Sequence, residues 1–124
     1  MKQFLIIFIG GGLGSSLRYI IGKILPYSKG EFPLSTFTVN LIGCLLIGFF
    51  FQIFSKTDLL KSDLSLFFII GFCGAFTTFS AFSFESLDLI KENSFIILLS
   101  YNFASIFLGV TMVYLGILLG KFVI

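Results

Sequence analysis

The chain has 124 residues, 57% of them hydrophobic and only 11% charged, with a mean hydropathy of +1.11 and a net charge of +2. About a quarter of the residues in an ordinary soluble protein are charged, so this composition indicates an integral membrane protein, one four-span membrane domain over residues 1–124. The charge is too small and too dispersed for nucleic acid, which needs a clustered basic face, and a chain without histidine or paired carboxylates offers no enzyme chemistry.

The first predicted span covers about residues 4–25. Lys2 followed by an apolar stretch resembles a signal peptide, but Gly14, Ser15 and Ser16 run on into Arg18 and further apolar residues, so the segment reads as a retained span. Gly10, Gly11, Gly12 and Gly14 lack the strand and βαβ context of a dinucleotide loop and suit close helix packing instead. Arg18 is costly inside a span unless it snorkels or faces water; it either reaches the interface or draws anions to a vestibule. The loop from Pro26 to Pro33 carries both prolines and leads into a second span over about residues 32–54. Thr36, Asn40 and Gly43 share one face of that helix. Asn40 can be an interhelical hydrogen-bonding residue or can offer its amide N–H groups to an anion, and spacing does not decide between the two.

The polar stretch Ser55–Asp63 is a loop, and a third span covers about residues 64–87. Its centre, GFCGAFTTFSAFSFE from Gly71 to Glu85, is a poor continuous helix. Gly71 and Gly74 weaken helix propensity, and the adjacent Thr77 and Thr78 are β-branched with hydroxyls that compete for backbone hydrogen bonds. A break is expected between Gly74 and Thr78. At membrane depth irregular backbone survives only inside protein or against a water-filled cavity, and its freed carbonyls are ready cation ligands. A fourth span follows over about residues 94–120, with Tyr101, Ser105 and Gly109 in a polar stripe at four-residue spacing and Gly116 and Gly120 as a second close-packing pair. The stripe by itself reads as helix–helix hydrogen bonding. Cys44 and Cys73 both fall within apolar runs and read as small buried residues, not as a disulfide framework.

Four spans place both ends of the chain on one membrane face. Lys2, Lys56, Lys61 and Lys121 lie on that side, and Arg18, Lys23, Lys29 and Lys91 on the other. Orientation follows an asymmetry of basic residues, and here there is none, so insertion in both orientations and an antiparallel two-fold dimer are expected. Four helices leave little room for an internal pore, which makes the dimer interface the natural conduction path. Small dual-topology multidrug exporters share this outline but centre on a glutamate in the first span, which this chain lacks. A non-conducting scaffold would leave the Thr77–Thr78 break without a purpose. For a channel, the path must replace an anion's water with donors without holding the ion too firmly. Asn40, Thr36, Ser80 and Ser105 can donate, and Phe79 and Phe82, on one helical face, can turn positively polarised ring edges toward an anion.

The set Gly74, Thr77, Thr78, Phe79, Ser80, Phe82 and Glu85 resembles the double-threonine, double-phenylalanine signature of the Fluc/CrcB family of small fluoride channels, with further matches in the other three spans. The resemblance implies a fluoride-selective channel in the cell membrane that lowers cytoplasmic fluoride by passive export. By similarity, Phe79 and Phe82 are pore phenylalanines and Asn40 the pore asparagine. Arg18, Glu85, Tyr101 and Ser105 correspond to vestibule and polar-track residues, and Thr36, Thr78 and Ser80 join the fluoride path. Gly74 and Thr77 resemble the residues whose backbone carbonyls, two from each subunit, hold a structural Na⁺ that is not transported. The implied assembly is an antiparallel homodimer with two fluoride paths. Ala81 departs from the hydroxyl residue common at its position, which removes one polar-track contact; Ser35 and Phe76 also differ from commoner choices.

Overall fold

The computed structural model describes residues 1–124 and contains only helices and their connections. Helix α1 spans Lys2–Ile24 and α2 spans Leu34–Lys56. The third membrane segment is composite: one turn of α-helix, α3 (Asp63–Ser65), a wider π-helical stretch (Leu66–Cys73), a second short turn, α4 (Gly74–Phe76), and then α5 (Phe79–Lys91). Helix α6 runs Phe95–Val123. At 1.5 Å per residue a helix of 23 residues is roughly 35 Å long, enough for a hydrocarbon core of about 30 Å. Four segments, Lys2–Ile24, Leu34–Lys56, Asp63–Lys91 and Phe95–Val123, are long and apolar enough to cross a membrane.

The helix ends follow from local chemistry. Ser62 caps α3 by accepting the Ser65 N–H. Asp58 and Asn93 take left-handed φ values of 56° and 55° just beyond α2 and α5. Behind them the Leu59 N–H reaches the Phe54 carbonyl at 2.9 Å and the Ser94 N–H reaches the Leu89 carbonyl at 2.9 Å. These six-to-one bonds satisfy carbonyls that the helix termini would otherwise leave open.

Glycines set how closely the helices approach. A Cβ on Gly10 or Gly14 would collide with the Phe67 or Phe72 carbonyl oxygen of the π-helical stretch, and one on Gly71 would collide with the Ile7 carbonyl oxygen of α1. The backbones of α1 and the π-helical stretch therefore touch directly. Helices α2 and α6 meet in the same way, with Gly48 against Val113 and Gly116 against Leu45. Such small-residue contacts supply the van der Waals packing on which helices in lipid depend. Few side chains are fully buried, while large apolar ones such as Phe8, Ile96, Phe103 and Phe122 face outward. An outward apolar surface of this kind suits hydrocarbon, not water.

Candidate functional site at the break in the third segment

The break falls at Thr77 and Thr78. Gly74 itself keeps helical angles, φ −62° and ψ −34°, so the threonines interrupt the helix and the glycines do not. Thr77 is extended at φ −73°, ψ 156°, with its N–H and its Oγ1 both donating to the Cys73 carbonyl, at 3.1 and 2.9 Å. Thr78 is extended at φ −148°, ψ 121° and caps α5, its Oγ1 accepting the Ala81 N–H at 3.1 Å and lying 3.2 Å from Ser80 Oγ. One hydroxyl thus closes the incoming helix and the next opens the outgoing one.

Asn40 holds the gap. Its Oδ1 accepts the Thr78 N–H at 2.8 Å and its Nδ2 donates to the Thr78 carbonyl at 3.1 Å. The two bonds fix the orientation of the amide, since an inverted group would oppose donor to donor and acceptor to acceptor. In an uninterrupted helix the Thr78 N–H would bond the Gly74 carbonyl four residues back. Asn40 diverts that donor, and one amide N–H remains to it. Gly43, one turn along the same face, lies beneath Thr77, where any Cβ would overlap the threonine methyl. The shared face of Thr36, Asn40 and Gly43 is therefore the one on which the broken segment rests.

Behind the break is a closed polar group. Glu85, only 7% exposed, accepts the Thr36 hydroxyl at 2.6 Å and the Tyr101 hydroxyl at 2.8 Å. Tyr101 is completely buried, its ring 5.0 Å from that of Phe82 and 5.4 Å from that of Phe32. The hydroxyls of Thr36 and Tyr101 are thus donated to Glu85 and not held open for a ligand, and the bulk of Tyr101 sets the position of Phe82.

Two cavities meet at the break. One, of about 340 Å³, is lined by Asn40, Gly74, Thr77, Thr78, Phe79, Phe82 and Ser105, and by both cysteines. The Phe79 and Phe82 rings lie 5.7 Å apart and inclined by 33°. Phe82 is half-buried while Phe79 is 79% exposed, so this cavity is open on the side away from the bundle. Two buried side-chain polar atoms lack a hydrogen-bond partner, Tyr27 Oη in the loop after α1 and the Oγ of Ser105, a residue that lines this cavity. The second cavity, of about 560 Å³, is lined by Arg18, Thr36, Thr78, Ser80 and Ala81. Arg18 Nη1 points at the Thr77 carbonyl from 3.5 Å and pairs with no carboxylate, leaving the charge of its guanidinium facing this recess. Thr78 lines both cavities, so the break is the wall between them.

The structure thus gathers Asn40, Thr78, Phe79, Phe82, Ser105, Gly74 and Thr77 around one cavity, and Arg18, Thr36 and Ser80 around the other. Glu85 and Tyr101 line neither and stand behind them. No group of histidine, cysteine, aspartate and glutamate side chains is arranged to hold a metal; the hard donors at the break are backbone carbonyls. Sequence reasoning missed the double bond from Asn40 to Thr78, the Thr36–Glu85–Tyr101 group and the cavity-lining position of the two cysteines. A four-residue spacing places a side chain on a face but does not name its partner across the bundle.

The family described as CrcB-like protein, Camphor Resistance (CrcB), matches residues 5–117. A protein of Flavobacterium psychrophilum named fluoride-specific ion channel FluC is 42% identical over 122 residues, covering 98% of both chains. Proteins of the same name from Phocaeicola vulgatus and Bacteroides fragilis are each 46% identical, over 94% of this chain and 97% of the former, and over 98% of this chain and 98% of the latter. With the match running nearly end to end, the chain belongs to the CrcB family.

Proposed function

We propose that this protein is a fluoride-selective channel of the cell membrane, working as an antiparallel homodimer and exporting cytoplasmic fluoride passively. The observation that carries the reading is the cavity beside the break, where the unpartnered Ser105 hydroxyl, the remaining Asn40 N–H and the paired rings of Phe79 and Phe82 converge. Fluoride is small and tightly hydrated, so a path for it must exchange water for donors and keep each one weak enough to release the ion. A serine hydroxyl and one amide N–H are such donors, and the edges of the two phenylalanine rings add partial positive charge without a full cation. The Arg18 recess on the other side of Thr78 supplies a positive potential that gathers anions at one mouth. The relatives named for fluoride support the choice of ion.

A dimer is supported by the open side of the cavity. A large aromatic ring 79% exposed next to an exposed glycine is an incomplete wall, and a second copy in the opposite orientation would complete two equivalent paths. The equal distribution of basic residues suits such an arrangement. A Na⁺ on the two-fold axis fits the Gly74 carbonyl, whose usual donor Asn40 has taken, and would use the second lone pair of the Thr77 carbonyl, which Arg18 Nη1 approaches to 3.5 Å. Two carbonyls are too few for one cation, so Gly74 and Thr77 of both copies would hold it, and the bound charge would stabilise the meeting of the broken segments. With the cell interior negative, each outward-moving anion gains about 2.3 kcal/mol per 100 mV.

The test is efflux of fluoride from liposomes carrying the purified protein, read with a fluoride electrode, with chloride as control. Fluoride efflux without chloride efflux is expected. Equal efflux of the two ions, or none of either from a folded preparation, overturns the assignment.

A further inference from the structure

At the far end of α2 and α6 from the Arg18 recess, a cavity of about 370 Å³ is lined by Gln52, Lys56, Lys121 and Ile124. Gln52 is only 8% exposed, yet its side-chain amide makes no hydrogen bond within the protein. The amide opens onto this cavity, so its donor and acceptor are free to bond a group held there. Its position is fixed from behind by Gly120, where a Cβ would come within 2.8 Å of Gln52 Cβ. The two lysines supply the charge, and no carboxylate, that of Ile124 included, lies within ion-pair distance of either; the only ion pair joins Lys2 to Asp63. The parallel C-terminal ends of two helices contribute roughly half a negative charge each and the Ile124 carboxylate one more, so the formal charges nearly cancel and the site offers two unpaired ammonium groups in place of a net positive charge. Phe51 beside Gln52, and Leu119 and Phe122 beside Lys121, are exposed apolar side chains at the same level.

We infer that this cavity binds the phosphate of an anionic phospholipid headgroup, with Lys56 and Lys121 as counter-charges and the Gln52 amide donating the orienting hydrogen bond. The surrounding apolar residues favour a lipid over free phosphate, because they offer acyl chains a surface that an inorganic ion cannot use. The site is independent of the fluoride path, from which it shares no lining residue.

The probe is phosphatidylglycerol, titrated into the full-length protein in neutral detergent and counted by native mass spectrometry, with phosphatidylcholine and inorganic phosphate as separate arms. One phosphatidylglycerol per chain is expected, with phosphatidylcholine and millimolar phosphate failing to displace it. Near a membrane surface each basic residue contributes about a fivefold factor, so Lys56→Gln or Lys121→Gln should weaken binding roughly fivefold and the pair together roughly twentyfold or more. Gln52→Leu, close in volume, should weaken it about tenfold through the lost hydrogen bond to a charged group, and Gln52→Glu should abolish it by repulsion. Size-exclusion profiles and fluoride efflux, unchanged in the lysine variants, report folding. If Gln52→Leu binds as the wild type does, the lysines act only as diffuse surface charge and the site is refuted; displacement by inorganic phosphate at equal affinity refutes the lipid assignment.

Discussion

Replacing Asn40 tests whether one side chain keeps the third segment open. In Asn40→Leu the bulk remains but both bonds to Thr78 are lost, and Thr78 is only 7% exposed. Each backbone group left buried without a partner costs about 1–3 kcal/mol, so the variant should lose roughly 2–6 kcal/mol if the break keeps its shape. The backbone has one escape. The Thr78 N–H can return to the Gly74 carbonyl, closing the helix over the gap and recovering part of that loss, with the Gly74 carbonyl no longer free. Either response should abolish fluoride efflux, and hydrogen exchange on peptides covering residues 74–82 separates them: faster exchange at Thr78 for an unsatisfied break, slower for a closed one. Asn40→Asp keeps the acceptor for the Thr78 N–H but, when ionised, sets a carboxylate oxygen against the Thr78 carbonyl and places a negative charge on the anion path. It should lose less stability than Asn40→Leu and yet be equally inactive. The reasoning is refuted if Asn40→Leu retains wild-type melting behaviour, Thr78 exchange and fluoride efflux together.

Phe79→Ile and Phe82→Ile keep apolar bulk but remove the ring quadrupole, so each should lower fluoride efflux at least about tenfold, equivalent to about 1.4 kcal/mol in the barrier, with the size-exclusion profile unchanged; wild-type efflux from both variants would make these rings packing residues. Removing sodium, with no substituting cation present, should lower efflux and thermal stability, and equal behaviour in sodium-free buffer would exclude a structural cation at Gly74 and Thr77. Reporter fusions at the C-terminus should give signal from both membrane faces, and two added lysines on one side should bias them; a single orientation in the unmodified protein would remove dual topology from the proposal.

The helices were legible because hydropathy at this level admits little else in a bilayer: backbone groups in lipid must bond within their own segment. The interruption was legible for a related reason. Two adjacent threonines between Phe76 and Phe79 carry hydroxyls able to substitute for backbone partners, and Thr77 and Thr78 do so, one toward Cys73 and one toward Ala81. The expectation reached too far back, to Gly74, because glycine weakens a helix only by its own propensity, about 1 kcal/mol, and continuous packing against α1 outweighs that. The wide helical stretch before it had no signal at all. LFFIIGFC is uniformly apolar, and the five-residue hydrogen bonding occurs where this stretch meets the glycine face of α1, a tertiary contact that no local pattern encodes.

The site shows the same division at the level of single atoms. Sequence reasoning brought Asn40, Thr36, Ser80 and Ser105 forward as donors and read Tyr101 as part of a helix–helix stripe, and the fold gives them unequal roles. Thr36 and Tyr101 donate to Glu85, Asn40 is divided between Thr78 and the cavity, and Ser105 alone keeps a buried hydroxyl with no protein partner. Such a distribution suits conduction better than four free donors would. A fully lined cage of donors would bind a small anion too firmly to release it, whereas one free hydroxyl, one amide N–H and two ring edges offer contacts that are individually weak and successive. Glu85 lines neither cavity, but by accepting the Tyr101 hydroxyl it fixes the ring that backs Phe82, so this acidic residue acts by positioning an aromatic one.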